Sequence, residues 1–215
     1  MGWSQGGQAA VWAAQIADYA SPAVKVLGAV ALAPVNASAQ IEAMKRRAAE
    51  GKPMTETQSG EEAMAYFAMT NVFPDLKLSD VLTPVGVEVF MGAFKAGQCG
   101  HHMSDTLNYA QGYRGPILRE KPENGEAWLR RIEANSLGNT PPKVPLAVYQ
   151  GESDQAVVPL ATTIYVKKAC ASGAEVAYIR YEGIDHIGLA ARAEPDFLAW
   201  IADRFAGAPA ATTCQ

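Results

Sequence analysis

The chain has 215 residues, 49% of them apolar and 19% charged, with a formal net charge of −4. Length and composition suit one folded core with room for an insertion and argue against a disordered chain. No basic excess is present to neutralise phosphates, so no nucleic-acid partner is expected. Three cysteines, Cys99, Cys170 and Cys214, are too few and too scattered for a zinc site or a disulfide framework, and at most one intramolecular bridge can form. The longest uncharged apolar run, residues 26–35, is too short to cross a bilayer, so no transmembrane segment is expected. The start, Met1-Gly2-Trp3-Ser4, has no basic stretch leading into an apolar one, so no signal peptide is read there.

In chain order, residues 8–19 are rich in Ala and carry Val11, Trp12 and Ile16, the pattern of a buried or half-buried helix that Ser21-Pro22 should end. Residues 24–34 are dense in Val, Leu and Ala, as a buried parallel strand would be. From 37 to 142 the texture changes. Helical stretches are predicted at 39–50, 60–70 and 126–136, joined by connections marked with Gly and Pro, so this block reads as a helical insertion. Thr140-Pro141-Pro142 closes it. Residues 143–215 resume an alternation: a strand over 144–149, a helix over 160–171, a strand over 176–181 and a helix over 188–205 containing Pro195. With residues 1–36 this order predicts an α/β fold with a short parallel sheet and a large helical insertion.

Gly2-Trp3-Ser4-Gln5-Gly6-Gly7 matches G-x-S-x-G. A nucleophile on a tight strand-to-helix turn sits in strained backbone, and small residues two before and two after it let the chain fold back on itself. The Ala-rich helix that follows supplies the expected context. A serine nucleophile needs a base, and three histidines are available. His101 and His102 lie inside the insertion with no third metal ligand nearby, and read as a surface or packed pair. His186 follows the last predicted strand, and loops at the carboxyl ends of strands carry catalytic groups in open α/β sheets. The base needs an orienting carboxylate. Asp154, after the strand at 144–149, fits; Glu152 is the alternative, and Asp185, adjacent to His186, reads as a solvated loop charge. The chain order Ser4, Asp154, His186 is that of α/β-hydrolases.

Taken together, Gly2-Trp3-Ser4-Gln5-Gly6-Gly7-Gln8-Ala9-Ala10, Tyr149-Gln150-Gly151-Glu152-Ser153-Asp154 with Val158-Pro159, and Tyr181-Glu182-Gly183-Ile184-Asp185-His186 resemble the secretory lipases, the lipase A type of α/β-hydrolase. The resemblance implies Ser4 as nucleophile, Asp154 as acid, His186 as base and the backbone N–H of Gln5 as an oxyanion donor. It implies ester or acylglycerol substrates, no cofactor, no metal, a secreted parent family, and a helical cap in place of the insertion. Members carry a long segment ahead of the serine, whereas here it is the fourth residue. The chain therefore resembles the carboxyl-terminal half of such an enzyme, a truncated α/β-hydrolase core. The loop giving the second oxyanion donor is expected to be missing, at a cost of about a hundred- to thousand-fold in rate. An impaired half-hydrolase that binds apolar ligands or another chain, and an amide or peptide hydrolase of the same fold, are the competing readings. Three further expectations accompany the resemblance. Cys99 is unpaired, its partner belonging to the segment ahead of the serine, while Cys170 and Cys214 flank late helices and could bridge. The strand at 24–34 is left as an open sheet edge and the helix at 8–19 loses cover, and the chain is expected to self-associate through one or the other. Apolar bulk at Met64, Phe67, Met69, Phe73, Val87, Phe90, Met91 and Phe94 is either an acyl tunnel or the insertion's own core. Asn36-Ala37-Ser38 is a sequon at a strand end and reads as chance.

Overall fold

The computed structural model describes residues 1–20, 23–51 and 59–214. The predicted helix stop at Ser21-Pro22 lies outside them. In chain order the elements are β1 (Gly2–Trp3), α1 (Gln5–Gln15), α2 (Ala17–Ala20), β2 (Ala29–Leu32) and α3 (Ala37–Ala49), then α4 (Gly60–Val72), α5 (Leu78–Val81), α6 (Pro84–Lys95), α7 (Gly100–Arg114) and α8 (Gly125–Ala134), and finally β3 (Leu146–Gly151), α9 (Pro159–Ala171), β4 (Val176–Tyr181) and α10 (Leu189–Phe205). They form two compact units, one of Met1–Pro53 with Ala134–Gln215, the other of Met54–Glu133.

The first unit is built on a four-stranded parallel sheet in the order β1-β2-β3-β4. Side chains alternate across a strand, and both faces here are covered. Ala29, Ala31, Leu146 and Val148 pack with Val11 and Ala14 of α1 and with Tyr165, Val166 and Ala169 of α9. Val30, Leu32, Ala147 and Tyr149 pack with Leu189, Ala193 and Phe197 of α10. Double coverage is why β2 and β3 read as unbroken apolar runs. Each large side chain so buried stabilises the unit by about 1.5–3 kcal/mol. Pro195 sits inside α10 without breaking it; it lies on the exposed face, where the carbonyl that loses its partner can turn to water.

The strand predicted over 24–34 is shorter, Ala29–Leu32, and it is not an open edge along its whole length. Gly2 and Trp3 pair with Ala31 and Leu32, and the Ser4 N–H donates to the Leu32 carbonyl. Two residues of the strand entering the turn are thus present, and the edge on which self-association was expected is correspondingly narrower. At the other end of the sheet a C-terminal strip lies along β4. The Thr213 N–H donates to the Val176 carbonyl at 2.8 Å and the Tyr178 N–H to the Thr213 hydroxyl at 3.0 Å. The strip is tied to the end of α9 by the Cys170–Cys214 disulfide, leaving Cys99 free and exposed. Thiol titration of the unfolded, unreduced protein is expected to find one reactive cysteine, Cys99; three would contradict the bridge.

The second unit is narrower than the predicted 37–142 block, because α3 belongs with the sheet. Its small residues Ala39 and Ala43 are buried, the Gln40 amide donates to the Ala156 carbonyl, and the Ala156–Pro159 turn is met again where the Val158 N–H donates to Gln40 Oε1. Asn36 is 3% exposed, and its amide nitrogen donates to the Leu137 carbonyl, so the sequon nitrogen is already engaged. Within the second unit, α6 and α7 occupy stretches the sequence had marked as connections. Pro84 and Gly100 stand at first helical positions, and the Thr83 hydroxyl caps α6 by accepting from the Gly86 N–H. Phe90, Met103 and Leu107 form this unit's core, with Met64, Phe67, Met69, Phe73, Val87 and Met91 packed on it. Phe94 is half exposed and meets the rings of Phe67 and Phe90. Most of the apolar residues in question are therefore accounted for by the unit's own packing. No helix among the described residues is long and apolar enough to cross a membrane.

Candidate active site

Ser4 stands between β1 and α1 with φ 57 and ψ −120. A side chain at positive φ with this ψ costs about 1–3 kcal/mol and persists only where the surroundings fix it. Here they do. The Ser4 N–H is bonded to Leu32, and its carbonyl accepts from the N–H groups of Gln8 and Val35. The turn closes so tightly that a Cβ on Gly2 would lie 1.9 Å from the Gly6 carbonyl oxygen, and one on Gly7 would lie 2.9 Å from that of Leu32. The second constraint falls on Gly7, since a Cβ on Gly6 would meet nothing within 4 Å. Ser4 makes no side-chain cap bond to α1, so its hydroxyl is left for other work, with the Gln5 N–H in the first turn behind it.

Asp154 and His186 are brought together. Asp154, fully buried, receives His186 Nδ1 on Oδ2 at 2.7 Å. Its Oδ1 accepts the N–H groups of Ala156 at 2.9 Å and Val157 at 2.8 Å, and Oδ2 also accepts from Gln150 Nε2 at 3.3 Å. A buried carboxylate is tolerable only with such satisfaction, and hydrogen bonds to a charged acceptor are the stronger kind. The carboxylate fixes the proton on Nδ1, which leaves Nε2 as the basic nitrogen. The two loops are knit at Gly151, where a Cβ would lie 2.3 Å from the Ile184 carbonyl oxygen. The Ser153 N–H donates to that oxygen and the Glu152 N–H to the Tyr181 carbonyl.

Ser4 is not hydrogen-bonded to His186. Neither its hydroxyl nor His186 Nε2 has a partner among the described residues. The link between the two loops runs instead through Trp3, whose Nε1–H donates to the His186 carbonyl at 3.1 Å and whose ring lies 4.8 Å from the imidazole. The other candidates stand apart. Glu152 is exposed and ion-paired with Arg180. Asp185 is exposed and accepts the Gly188 N–H at 2.7 Å, starting the turn into α10. His101 and His102 are exposed on α7, and no group of metal-binding side chains occurs among the described residues. Burial and the Asp196 carboxylate push the Tyr149 hydroxyl up to about 12, and burial and the Asp196 hydrogen bond raise Tyr181 as well, so neither phenol supplies a base near neutrality. Two residues were not singled out by sequence. Gln150 is detectable in principle, as a polar residue at a buried strand position. Trp3 carries no local signal.

A search of curated proteins found no match. The sequence profile of the secretory lipases matches residues 1–213. Among solved structures the chain is similar to lipase A of Candida antarctica, with a TM-score of 0.69 and 20% identity, covering 99% of this chain and 49% of that one. The closed state of that lipase gives a TM-score of 0.64 at 20% identity, over 97% of this chain and 49% of that one. The rice cell wall degrading esterase LipA of Xanthomonas oryzae gives 0.63 at 14% identity, over 94% of this chain and 56% of that one. At these identities the likeness is one of fold, that of the α/β-hydrolases, and the chain spans about half the length of these proteins. The family match, running from the Ser4 turn through the Asp154–His186 pair almost to the last residue, places the chain in the secretory lipase family.

Proposed function

We propose that the chain carries the chemistry of a serine-dependent carboxylic ester hydrolase, acting through Ser4, His186 and Asp154 by way of an acyl-enzyme. The observation that carries this reading is the His186 imidazole bonded to the buried Asp154 carboxylate and joined through Trp3 to the turn that holds Ser4 at φ 57 ahead of α1. Ser4 Oγ attacks the ester carbonyl carbon while His186 Nε2 takes the hydroxyl proton, and Asp154 stabilises the imidazolium that forms. The Gln5 N–H, which as a first-turn donor of α1 has no intrahelical partner, stabilises the charge that develops on the carbonyl oxygen. His186 then returns the proton to the departing alcohol. Water, deprotonated by the same nitrogen, cleaves the acyl-enzyme and frees the acid. The substrates proposed are acylglycerols and shorter acyl esters, and secretion is proposed from the family alone.

The test is covalent. A p-nitrophenyl alkylphosphonate is expected to release p-nitrophenol and leave a phosphonyl group on Ser4, located by peptide mass mapping. Short acyl esters are expected to be hydrolysed faster than peptides of comparable size. A folded protein that takes no adduct overturns the proposal in favour of a binding-only half, and preferential peptide cleavage overturns the choice of bond.

A further inference from the structure

We infer that Trp3 is a positioning residue for His186, coupling the orientation of the base to the nucleophile's own turn. This rests on the proposed function but makes a separate claim about geometry. The Asp154 bond fixes how far Nδ1 sits from the carboxylate, but a single hydrogen bond leaves the imidazole free to tilt, and Nε2 swings with the tilt. A flat surface against the ring removes that freedom. Trp3 provides it, its ring centroid 4.8 Å from that of His186 and inclined by 35°. The same side chain anchors the main chain of that residue, through the 3.1 Å bond from Nε1 to the His186 carbonyl.

The loop around His186 has little else to hold it. Glu182, Gly183, Asp185 and Ile187 are all exposed, and beyond the half-buried Ile184, packed on the core beside α10, the loop is tied by the Ser153–Ile184 bond and the Asp185–Gly188 turn. Trp3 itself is only partly covered, at 38% exposure, so its contribution is not that of a core residue. Its chain position gives the contact its meaning. Trp3 adjoins Ser4 and is pinned by β1 pairing to Leu32, so the surface that orients the base shares a rigid segment with the nucleophile. Misplacement of reacting groups by about 1 Å can cost a hundredfold in rate.

Two variants separate the contacts. Trp3→Leu removes both ring and N–H; kcat on a short acyl ester is expected to fall about ten- to a hundredfold, with KM within about twofold of the starting value. Trp3→Phe keeps an aromatic surface but no donor, and kcat is expected to fall only about three- to tenfold. A readout independent of turnover is the downfield proton resonance of His186 Nδ1–H in its bond to Asp154. It is expected to be sharp in the unaltered protein, retained in Trp3→Phe, broadened or lost in Trp3→Leu, and absent from Asp154→Asn. Circular dichroism melting checks folding, and if Trp3→Leu does not fold, Trp3→Phe decides by the same criteria. Unchanged kcat in the variant that decides, a change confined to KM, or a resonance as sharp in Trp3→Leu as before overturns the assignment. Failure of the ester-hydrolase reading looks different, with no phosphonyl adduct on Ser4 although the His186 resonance responds to Trp3 as expected.

Discussion

Ser4→Ala is expected to lower ester hydrolysis by about six orders of magnitude relative to the unaltered chain, the scale on which loss of a serine nucleophile is felt when its partners act only through it. The substitution isolates the chemistry. Alanine keeps the Cβ that the φ 57 turn already accommodates, and the removed hydroxyl makes no cap bond to α1. The melting temperature is therefore expected to stay the same while turnover on a short acyl ester disappears. Retained turnover in a folded Ser4→Ala protein would place the nucleophile elsewhere.

Asp154→Asn is expected to cost about four orders of magnitude in kcat while leaving the protein folded. The reason lies in the donors around the carboxylate. The Ala156 and Val157 N–H groups both point at Oδ1, so the amide oxygen of an asparagine settles there and its NH2 takes the place of Oδ2. That NH2 then faces two former donors, His186 Nδ1 and Gln150 Nε2. The imidazole can relieve the clash only by moving its proton to Nε2, the nitrogen proposed to accept the proton of Ser4. A loss of less than about tenfold, measured as kcat at saturating ester, would show that Asp154 is not the orienting group.

The sequence made the candidate site more legible than the architecture, for physical reasons. A strained turn needs glycine at fixed offsets, and groups at strand ends fall at predictable points in a strand–helix alternation. Ser4, Asp154 and His186 could therefore be named as candidates from spacing, of which the structure bonds Asp154 to His186, although the offset glycine that the packing requires after Ser4 is Gly7 rather than Gly6. The helices α6 and α7 were hidden because Pro84, Gly86, Gly92, Gly100 and Gly112 look like punctuation. In the folded unit Pro84 and Gly100 open helices, and Gly92 and Gly112 sit inside helices with nothing near their missing Cβ atoms. The placement of α3 with the sheet was equally hidden. Its buried stripe is made of alanines, and nothing in an alanine stripe says which neighbour it meets. Trp3 is the extreme case, since its partner lies 183 positions away and only the tertiary structure sets that distance to zero.

The strip along β4 works like a buttoned flap. Residues 212–214 occupy, with backbone and threonine hydroxyls, two of the edge positions at which a foreign strand would dock, the Val176 carbonyl and the Tyr178 N–H, and the button is the bond between Cys214 and Cys170. Three residues hold weakly by themselves; fastened at Cys214, they stay at high local concentration against the edge they cover. Oxidising surroundings keep the flap shut at no further cost. Without the bridge the strip would be left to its own few hydrogen bonds with Val176 and Tyr178. The fastening lies at the amino end of β4, while the Asp154–His186 pair stands at the opposite, carboxyl end of the strands.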